Sequence, residues 1–569
     1  MKTIAFHNLG CKVNSYELDV MQQIMREKGY EIVPFDKMAD IYVINTCTVT
    51  NIADRKSRQM LHRAKQKNPN AVVVAVGCYV QTDLAGAVKD PAIDLAIGNN
   101  RKKDIAKILE QYLAEHDDNS LWENEDRPRG VCEEDGIDAK PISLKKENDA
   151  REDSGAGFED KTLGGTTILD IAHEKEYEEM QLKTTAEHTR AYIKIQDGCN
   201  QFCSYCAIPL ARGRVRSRKP EDVLREVECI VAAGYQEIVL TGIHVSSYGI
   251  DFTTPIPDVG NGETKPGMLQ TGSPGGEKRT AETQKEAATQ EPARANKVTA
   301  LQEPSAVKPM DYRGQTKLFD LIEELHKVPG LQRIRISSLE PRIVTPETAK
   351  RLAALPKVCP HFHLSLQSGC DATLKRMNRH YTAQQYLESV QALRDAYAPM
   401  VPAITTDVIV GFPGETEEEF AITKAFLETV GFYEMHVFKY SKRAGTRAAV
   451  MEGQIPDPIK ARRSDVLLEL EREQSIAFRK QKLGQVVAVL MEEEKEIGGK
   501  NYLLGHTVDY VRVALALNRD DMVAKCVDEQ KTSKQATGLI AARAGEILQL
   551  KVTEFFTEEI LLGQQTNLF

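Results

Sequence analysis

The sequence predicts an α/β protein in three parts: a small parallel α/β unit, a longer series of β/α units, and a small antiparallel β-barrel. Three observations predict it. Strand-like and helix-like runs alternate over residues 1–114 and again over 187–480. Residues 481–569 then turn to short apolar strands bounded by glycine and polar turns. Finally, cysteines recur just after strands, where α/β folds gather their chemistry.

Composition sets the outer limits. At 569 residues, with 41% hydrophobic and 28% charged residues, the chain is long enough for several cores and has a globular composition. It contains no run of about 18 apolar residues, so no membrane span is expected. The opening Met1-Lys-Thr-Ile-Ala-Phe-His-Asn8 turns polar too early for a secretion signal, and a cytoplasmic location is expected. Eleven cysteines in so long a chain read as ligands or buried thiols, not as a disulfide framework. A net charge of −9 argues against wholesale nucleic-acid affinity but leaves room for a local basic patch.

In the first part, residues 3–7, 41–45 and 71–77 are strand-like, and 16–28, 53–67 and 102–113 have helical apolar spacing. A cysteine follows each strand: Cys11, Cys47 and Cys78. Parallel strand ends share one edge of a sheet, so these thiols can meet there. A single cysteine in that place is usually a small buried hydrophobe, but three point to a metal cluster. From about 115 to 186 the pattern collapses into polar, turn-rich sequence, read as a mobile linker with an insertion. Cys132 in it reads as a free thiol, and Trp122 has no partner that sequence can name.

Residues 190–196 alternate as a strand does and run into Asp197-Gly-Cys-Asn-Gln-Phe-Cys-Ser-Tyr-Cys206. Cys199, Cys203 and Cys206 are spaced C-x3-C-x2-C, with no fourth cysteine or histidine close behind. A four-iron cluster held by three thiolates keeps one iron open for a substrate. A zinc knuckle is the alternative, though zinc usually takes four ligands in paired form. A helix over 220–233 follows, then strands at 237–242, 333–338, 362–366, 404–411 and 435–440, separated by helices at 317–327, 346–355, 383–397 and 417–430. With the first strand that makes six β/α units. Residues 251–313 interrupt them with Gly, Thr, Pro, Lys, Glu and Gln, and read as a disordered surface loop. A charged helix over 460–482 leads to the final short strands.

Directly after the cysteine loop, Arg212, Arg214, Arg216, Arg218 and Lys219 occur without an acidic residue among them. Guanidinium groups suit phosphates, so RNA backbone binding is expected here. Gly411-Phe-Pro-Gly-Glu-Thr416, Leu364-Ser-Leu-Gln-Ser-Gly369 and Leu240-Thr-Gly-Ile-His244 end strands on one rim. Their glycines allow a backbone to approach a ligand closely. His244, His361 and His363 are better read as hydrogen-bonded structural residues than as ligands. Cys229, Cys359, Cys370 and Cys526 lack ligand spacing.

The C-x3-C-x2-C loop resembles that of radical S-adenosylmethionine (SAM) enzymes, and six β/α units match their open (β/α)6 barrel. With three N-terminal strand-end cysteines and a C-terminal β-barrel similar to the TRAM RNA-binding module, nearly the whole chain resembles the methylthiotransferase family. The resemblance implies that Cys199, Cys203 and Cys206 hold the radical-generating 4Fe–4S cluster, whose open iron is chelated by SAM. It implies a second 4Fe–4S cluster on Cys11, Cys47 and Cys78. Tyr205, Thr241, Gly242, Gln367, Gly411 and Gly414 are then the expected SAM contacts, and some arginines of the basic run could instead hold a carboxylate of SAM or of a modified base. The motifs Asn8-Leu-Gly-Cys-Lys-Val-Asn14 and Gly198–Gly213 look most like the branch acting on N6-threonylcarbamoyladenosine at position 37 of tRNA. Isopentenyladenosine, a ribosomal-protein aspartate, or a non-catalytic iron–sulfur RNA sensor are the alternatives. The implied reaction cleaves one SAM to a radical, takes the methyl from a second, and needs an external one-electron reductant. Its implied partner is the tRNA anticodon loop, with no DNA or membrane partner.

Overall fold

The computed structural model describes residues 2–116, 168–183, 189–252, 317–517 and 544–566. The first part is a parallel sheet of β1 (Thr3–Asn8), β2 (Glu31–Val33), β3 (Ile41–Thr46), β4 (Val72–Gly77) and β5 (Leu95–Ile97), ordered β2-β1-β3-β4-β5. β3 and β4 are almost wholly buried, which is why they read as continuous apolar runs and not as alternating ones. β2 and β5 carry only a three-residue signal each and escape the sequence reading. The helices are α1 (Lys12–Glu27), α2 (Asn51–Lys67), α3 (Cys78–Thr82), α4 (Leu84–Lys89) and α5 (Ile105–Glu115). α2 starts where the Thr50 hydroxyl accepts from the Ala53 amide, with Asp54 in its first turn and Lys65 and Lys67 in its last.

The second part contains β6 (Ala191–Asp197), α6 (Ile208–Arg212), β7 (Arg216–Ser217), α7 (Pro220–Ala232), β8 (Glu237–Gly242), α8 (Lys317–His326), β9 (Arg333–Ile336), α9 (Pro346–Ala353), β10 (His361–His363), α10 (Asp371–Arg376), α11 (Ala383–Tyr397), β11 (Ala403–Val410), α12 (Glu417–Val430) and β12 (Glu434–Lys439). Strands β6, β8 and β9 pair in parallel, as do β10, β11 and β12, and a Leu339–Leu364 bridge joins the two groups. The six parallel strands thus form one open series, with the two-residue β7 antiparallel on the outer edge of β6. Capping boxes at Thr345/Thr348, Thr382/Gln385 and Thr416/Glu419 fix the starts of α9, α11 and α12.

The chain before β6 departs from the expected loose linker over its described portion. Ile171, Met180 and Leu182 are buried, the Tyr16 hydroxyl donates to the Met180 carbonyl, and the Leu182 amide donates to Glu226. Its apolar residues lack a period because they pack as an irregular strap. The rest of 115–186, with Cys132 and Trp122, lies outside the described residues, as do most of 251–313 and Cys526.

Helix α13 (Asp457–Lys480) leads to a closed barrel of β13 (Val486–Ile497), β14 (Lys500–Thr507), β15 (Arg512–Ala516), β16 (Ile547–Phe555) and β17 (Ile560–Gln565). Its pairs are antiparallel apart from β15–β17, which run parallel. That last strand, missed in sequence because it is short and lies near the chain end, closes the cylinder and removes the edges an open sheet would leave. Among the described residues no helix is long and apolar enough to cross a membrane.

Buried charge joins the parts. Glu17 on α1 receives Lys102, Lys194 of β6 and Arg212 of α6, and Asp197 at the end of β6 receives Lys194, Arg212 and, at 3.9 Å, Arg216. These side chains are at most 3% exposed. Burial alone would raise the Glu17 carboxyl, yet the charges of Arg212, Lys102 and Lys194 hold it well below the usual carboxylate range. The C-terminal barrel docks through Arg333, which donates to the carbonyls of His506 and Ala488, and Arg335, which donates to those of Val508 and Thr507.

Glu17→Gln removes the carboxylate from between three buried cations and is expected to cost about 3–5 kcal/mol of stability at pH 7, read from urea midpoints. A depressed carboxyl stabilises fully above its unfolded value of about 4.3 and loses that contribution as pH falls toward its folded value. Chelator-treated wild-type protein should therefore lose this part of its stability on acidification below about pH 5, and the Gln variant should not. Arg335→Leu leaves Glu237 with one fewer buried partner and removes the side-chain donor to the Val508 and Thr507 carbonyls. Faster amide exchange in β13–β15 with unchanged exchange in β3 and β4 is the expected result.

Candidate active site

The N-terminal cysteines come together as the topology requires, each at the C-terminal end of a parallel strand. Cys11 precedes α1, Cys47 follows β3, and Cys78 opens α3. Gly10 (φ +139°) lets this loop reach the next: a Cβ there would lie 2.9 Å from Asn14 Nδ2 and 3.3 Å from Cys47 Cβ. Burial, then the Cys78 thiol, push Cys47 up to about 12, and Cys11 adds to the effect. Burial also raises Cys11, against the opposing charge of Arg212. Asn99 Nδ2 lies 3.6 Å from Cys78 Sγ and 2.7 Å from the Ala211 carbonyl, tying this site to α6 of the barrel.

The second trio sits on the loop between β6 and α6. Gly198 (φ +69°) is required, since a Cβ there would stand 1.7 Å from the Arg214 carbonyl oxygen. The Cys199 amide donates to the Gly213 carbonyl at 3.0 Å, and the Ser204 amide and hydroxyl tie the loop to Met377 and Arg376. Burial followed by Cys203 and Cys206 raises Cys199, and burial with Cys203 pushes Cys206 up to about 12. Arg379 Nη1 is 3.2 Å from Cys203 Sγ, and its guanidinium lies 4.9 Å from the Tyr381 ring centroid. Buried thiols whose neighbours raise Cys199 and Cys206, beside the Arg379 cation, are a donor set suited to iron-bound sulfur: coordination by iron relieves what protonation otherwise must. Arg212 plays the same part for the N-terminal thiols. Both trios therefore fit iron–sulfur clusters.

The basic run needs correction. Arg212, Arg216 and Arg218 are at most 1% exposed and cannot face an RNA backbone. Arg212 and Arg216 belong to the Glu17–Asp197 network, and Arg218 pairs with Glu179 and Glu226. Arg214, over the Phe202 ring at 4.5 Å, and the exposed Lys219 remain available to a phosphate. Of the expected SAM contacts, Tyr205 lies in the cysteine loop, edge-on to Phe412 at 6.4 Å. Thr241 and Gly242 end β8, and Gln367 (φ +73°) follows β10 on the same rim. The Gly411 and Gly414 amides are already taken, by Glu415 at 2.6 Å and by the Gly453 carbonyl at 2.8 Å. Their turn is shaped by α13, since a Cβ on Gly411 would meet Lys460 at 2.3 Å.

Apart from His361 and His363, the lumen of the barrel holds residues that sequence reasoning did not single out. Arg190, Tyr192, Val239, Arg335 and His361 surround Lys12 of α1 and Tyr510 of the C-terminal barrel. Tyr510 stacks between His361 and His506, at 4.9 and 4.5 Å, with Arg190 and Arg335 within 5.0 Å of its ring. Burial, then Arg190 and Arg335, push the Lys12 ammonium down to about 8. One level along the strands, His363, Asp407 and His436 bring ring nitrogens and a carboxylate within 4.8 Å of one another. Phe438, two residues beyond His436 on the same face, is 46% exposed. His244 is structural, held by Ser247 at 2.6 Å and Glu340 at 3.2 Å. Cys359 and Cys370 are buried and Cys229 is exposed. The sequence signs of the lumen were His361 and His363, read there as structural residues.

Comparison with known proteins accords with this geometry. Residues 193–427 match the Radical SAM superfamily, and residues 3–98 match an uncharacterized protein family, UPF0004. The threonylcarbamoyladenosine tRNA methylthiotransferase MtaB of Bacillus subtilis is 34% identical, over 93% of this chain and 93% of its own. Its namesake in Aquifex aeolicus is 32% identical over 88% of this chain and 95% of its own. A tRNA-2-methylthio-N(6)-dimethylallyladenosine synthase of Carboxydothermus hydrogenoformans is 29% identical over 91% and 94%. Such proteins are transferases that work with [4Fe-4S] clusters and S-adenosylmethionine. With its two cysteine trios, its open six-stranded barrel and relatives matched along nearly its whole length, this chain belongs to the radical SAM tRNA methylthiotransferase family.

Proposed function

We propose that this chain methylthiolates C2 of N6-threonylcarbamoyladenosine at position 37 of tRNA. Cys199, Cys203 and Cys206 hold the cluster that receives SAM, and Cys11, Cys47 and Cys78 hold an auxiliary one. When bound, these groups supply one-electron chemistry able to remove a hydrogen from carbon, which the C2–H of adenine demands because it is neither acidic nor readily displaced. An external one-electron donor completes the requirement.

The observation that carries the reading is the sharing of one buried ion network by the two cysteine sites. Arg212 stands just after the barrel trio, pairs with Glu17 on the helix that begins after Cys11, and eases the charge on the N-terminal thiols. The two modules are therefore held in one relative position while a base lies between them. Arg379 Nη1 stands 3.2 Å from Cys203 Sγ, and α1 packs on β6 and β8. Phe438 offers an open ring face to an unstacked base, the state anticodon-loop nucleotides reach most readily. The Bacillus and Aquifex relatives support the choice of threonylcarbamoyladenosine as the base.

Nucleosides from a deletion strain should lack the methylthio form of threonylcarbamoyladenosine found in the wild type. An unchanged profile, or loss of a methylthio-dimethylallyl nucleoside instead, overturns the assignment. Anaerobically purified protein should carry about eight irons and eight sulfides, falling to about four of each in Cys203→Ala and in Cys47→Ala. Only Cys203→Ala should abolish 5′-deoxyadenosine formation, whereas Cys47→Ala should keep it and stop sulfur insertion.

A further inference from the structure

Lys12 stands out among the charges of the lumen because its neighbours are all answered within the protein. Arg190 meets Glu492 at 3.2 Å and Arg335 meets Glu237 at 2.7 Å. Asp407 lies 3.4 Å from His363 and within 4.8 Å of His436. Among the described residues no hydrogen bond or ion pair is made by the Lys12 ammonium, although the side chain lines the same recess as Arg190, Arg335, His361 and Tyr510. A second group in the recess is also unanswered: His361 Nδ1 is buried and has no hydrogen-bond partner. An unpaired cation and an unpaired ring nitrogen in one enclosed recess form a seat for a small anion that can also accept a hydrogen bond.

This inference rests on the proposed reading of the base. In a threonylcarbamoyl group the threonine nitrogen is acylated and its carboxylate remains free, so the group carries one negative charge. A dimethylallyl group carries none. We propose that Lys12, with His361 Nδ1, binds the carboxylate of the threonylcarbamoyl side chain and is the specificity-determining residue against neutral N6 substituents. Lys12 follows Cys11 directly, so the residue that reads the side chain is built into the loop that presents the auxiliary thiols. A correctly charged substituent and a correctly placed base are then one requirement.

The test measures binding of fluorescently labelled anticodon stem-loop RNA to the anaerobically reconstituted enzyme. One loop carries threonylcarbamoyladenosine at position 37, a second dimethylallyladenosine, and a third the methyl ester of the threonylcarbamoyl group. Wild-type protein should bind the first about tenfold to a hundredfold tighter than the other two. Lys12→Gln should lose that preference with iron content unchanged, and Lys12→Arg should retain most of it. If Lys12→Gln keeps the full preference, or binds all three loops more weakly by one common factor, the inference is overturned. Equal binding of the charged loop and its ester by wild-type protein overturns it too, without need of any variant. In that event the tRNA nucleoside profile separates the two layers: if the methylthio form of threonylcarbamoyladenosine is still made, the function stands and only the seat falls.

Discussion

A carboxylate taken out of water has to be surrounded by positive charge, and Glu17 meets that demand with groups drawn from three stretches of the chain. Lys102 comes from the end of the N-terminal sheet, Lys194 from the first barrel strand, and Arg212 from the helix after the cysteine loop. Separating the modules would take Lys194 and Arg212 from Glu17, leaving it Lys102 as its one cation in this network. The cations in the network, Lys102, Lys194, Arg212 and Arg216, outnumber the carboxylates Glu17 and Asp197, while burial pushes nearby Glu178 toward its neutral form. Of these cations, Arg212 acts on the N-terminal thiols Cys11 and Cys47. Ordinarily a buried ion pair is weak evidence of stability. Here its value is positional: it sets the separation of two reactive sites that belong to different folds.

Much of this architecture was legible beforehand because it is written in local periodicity. The strand–helix alternation, the C-x3-C-x2-C loop and the strand-end positions of Cys11, Cys47 and Cys78 need only neighbours in sequence to be seen. What escaped depends on remote partners. Arg212, Arg216 and Arg218 look like a solvated or phosphate-binding run because their carboxylates stand at positions 17, 179, 197 and 226, outside any local window. The strap around Met180 has no period because it packs as irregular chain. β17 is six residues long and pairs in parallel with β15, a connection no hairpin rule anticipates.

The glycines divide in the same way. Gly198 stands in the cysteine loop, and what forbids a side chain there is the backbone of Arg214. Gly411 and Gly414 were read as a cradle for SAM, yet the space that excludes a Cβ on Gly411 is filled by Lys460 of α13. A glycine motif at a strand end reports a close approach, and only the fold says what approaches.

The hold of Arg333 and Arg335 on the carbonyls of the C-terminal barrel changes how that barrel must operate. A recognition module on a flexible tether finds its ligand by sampling, and gains from raised local concentration. This one is clamped to the main barrel by side-chain bonds to its backbone carbonyls, and its Tyr510 stacks between His361 of that barrel and His506 of its own. It therefore sits as a fixture of the main barrel, and remodelling that domain would reshape the lumen wall at Tyr510 as well.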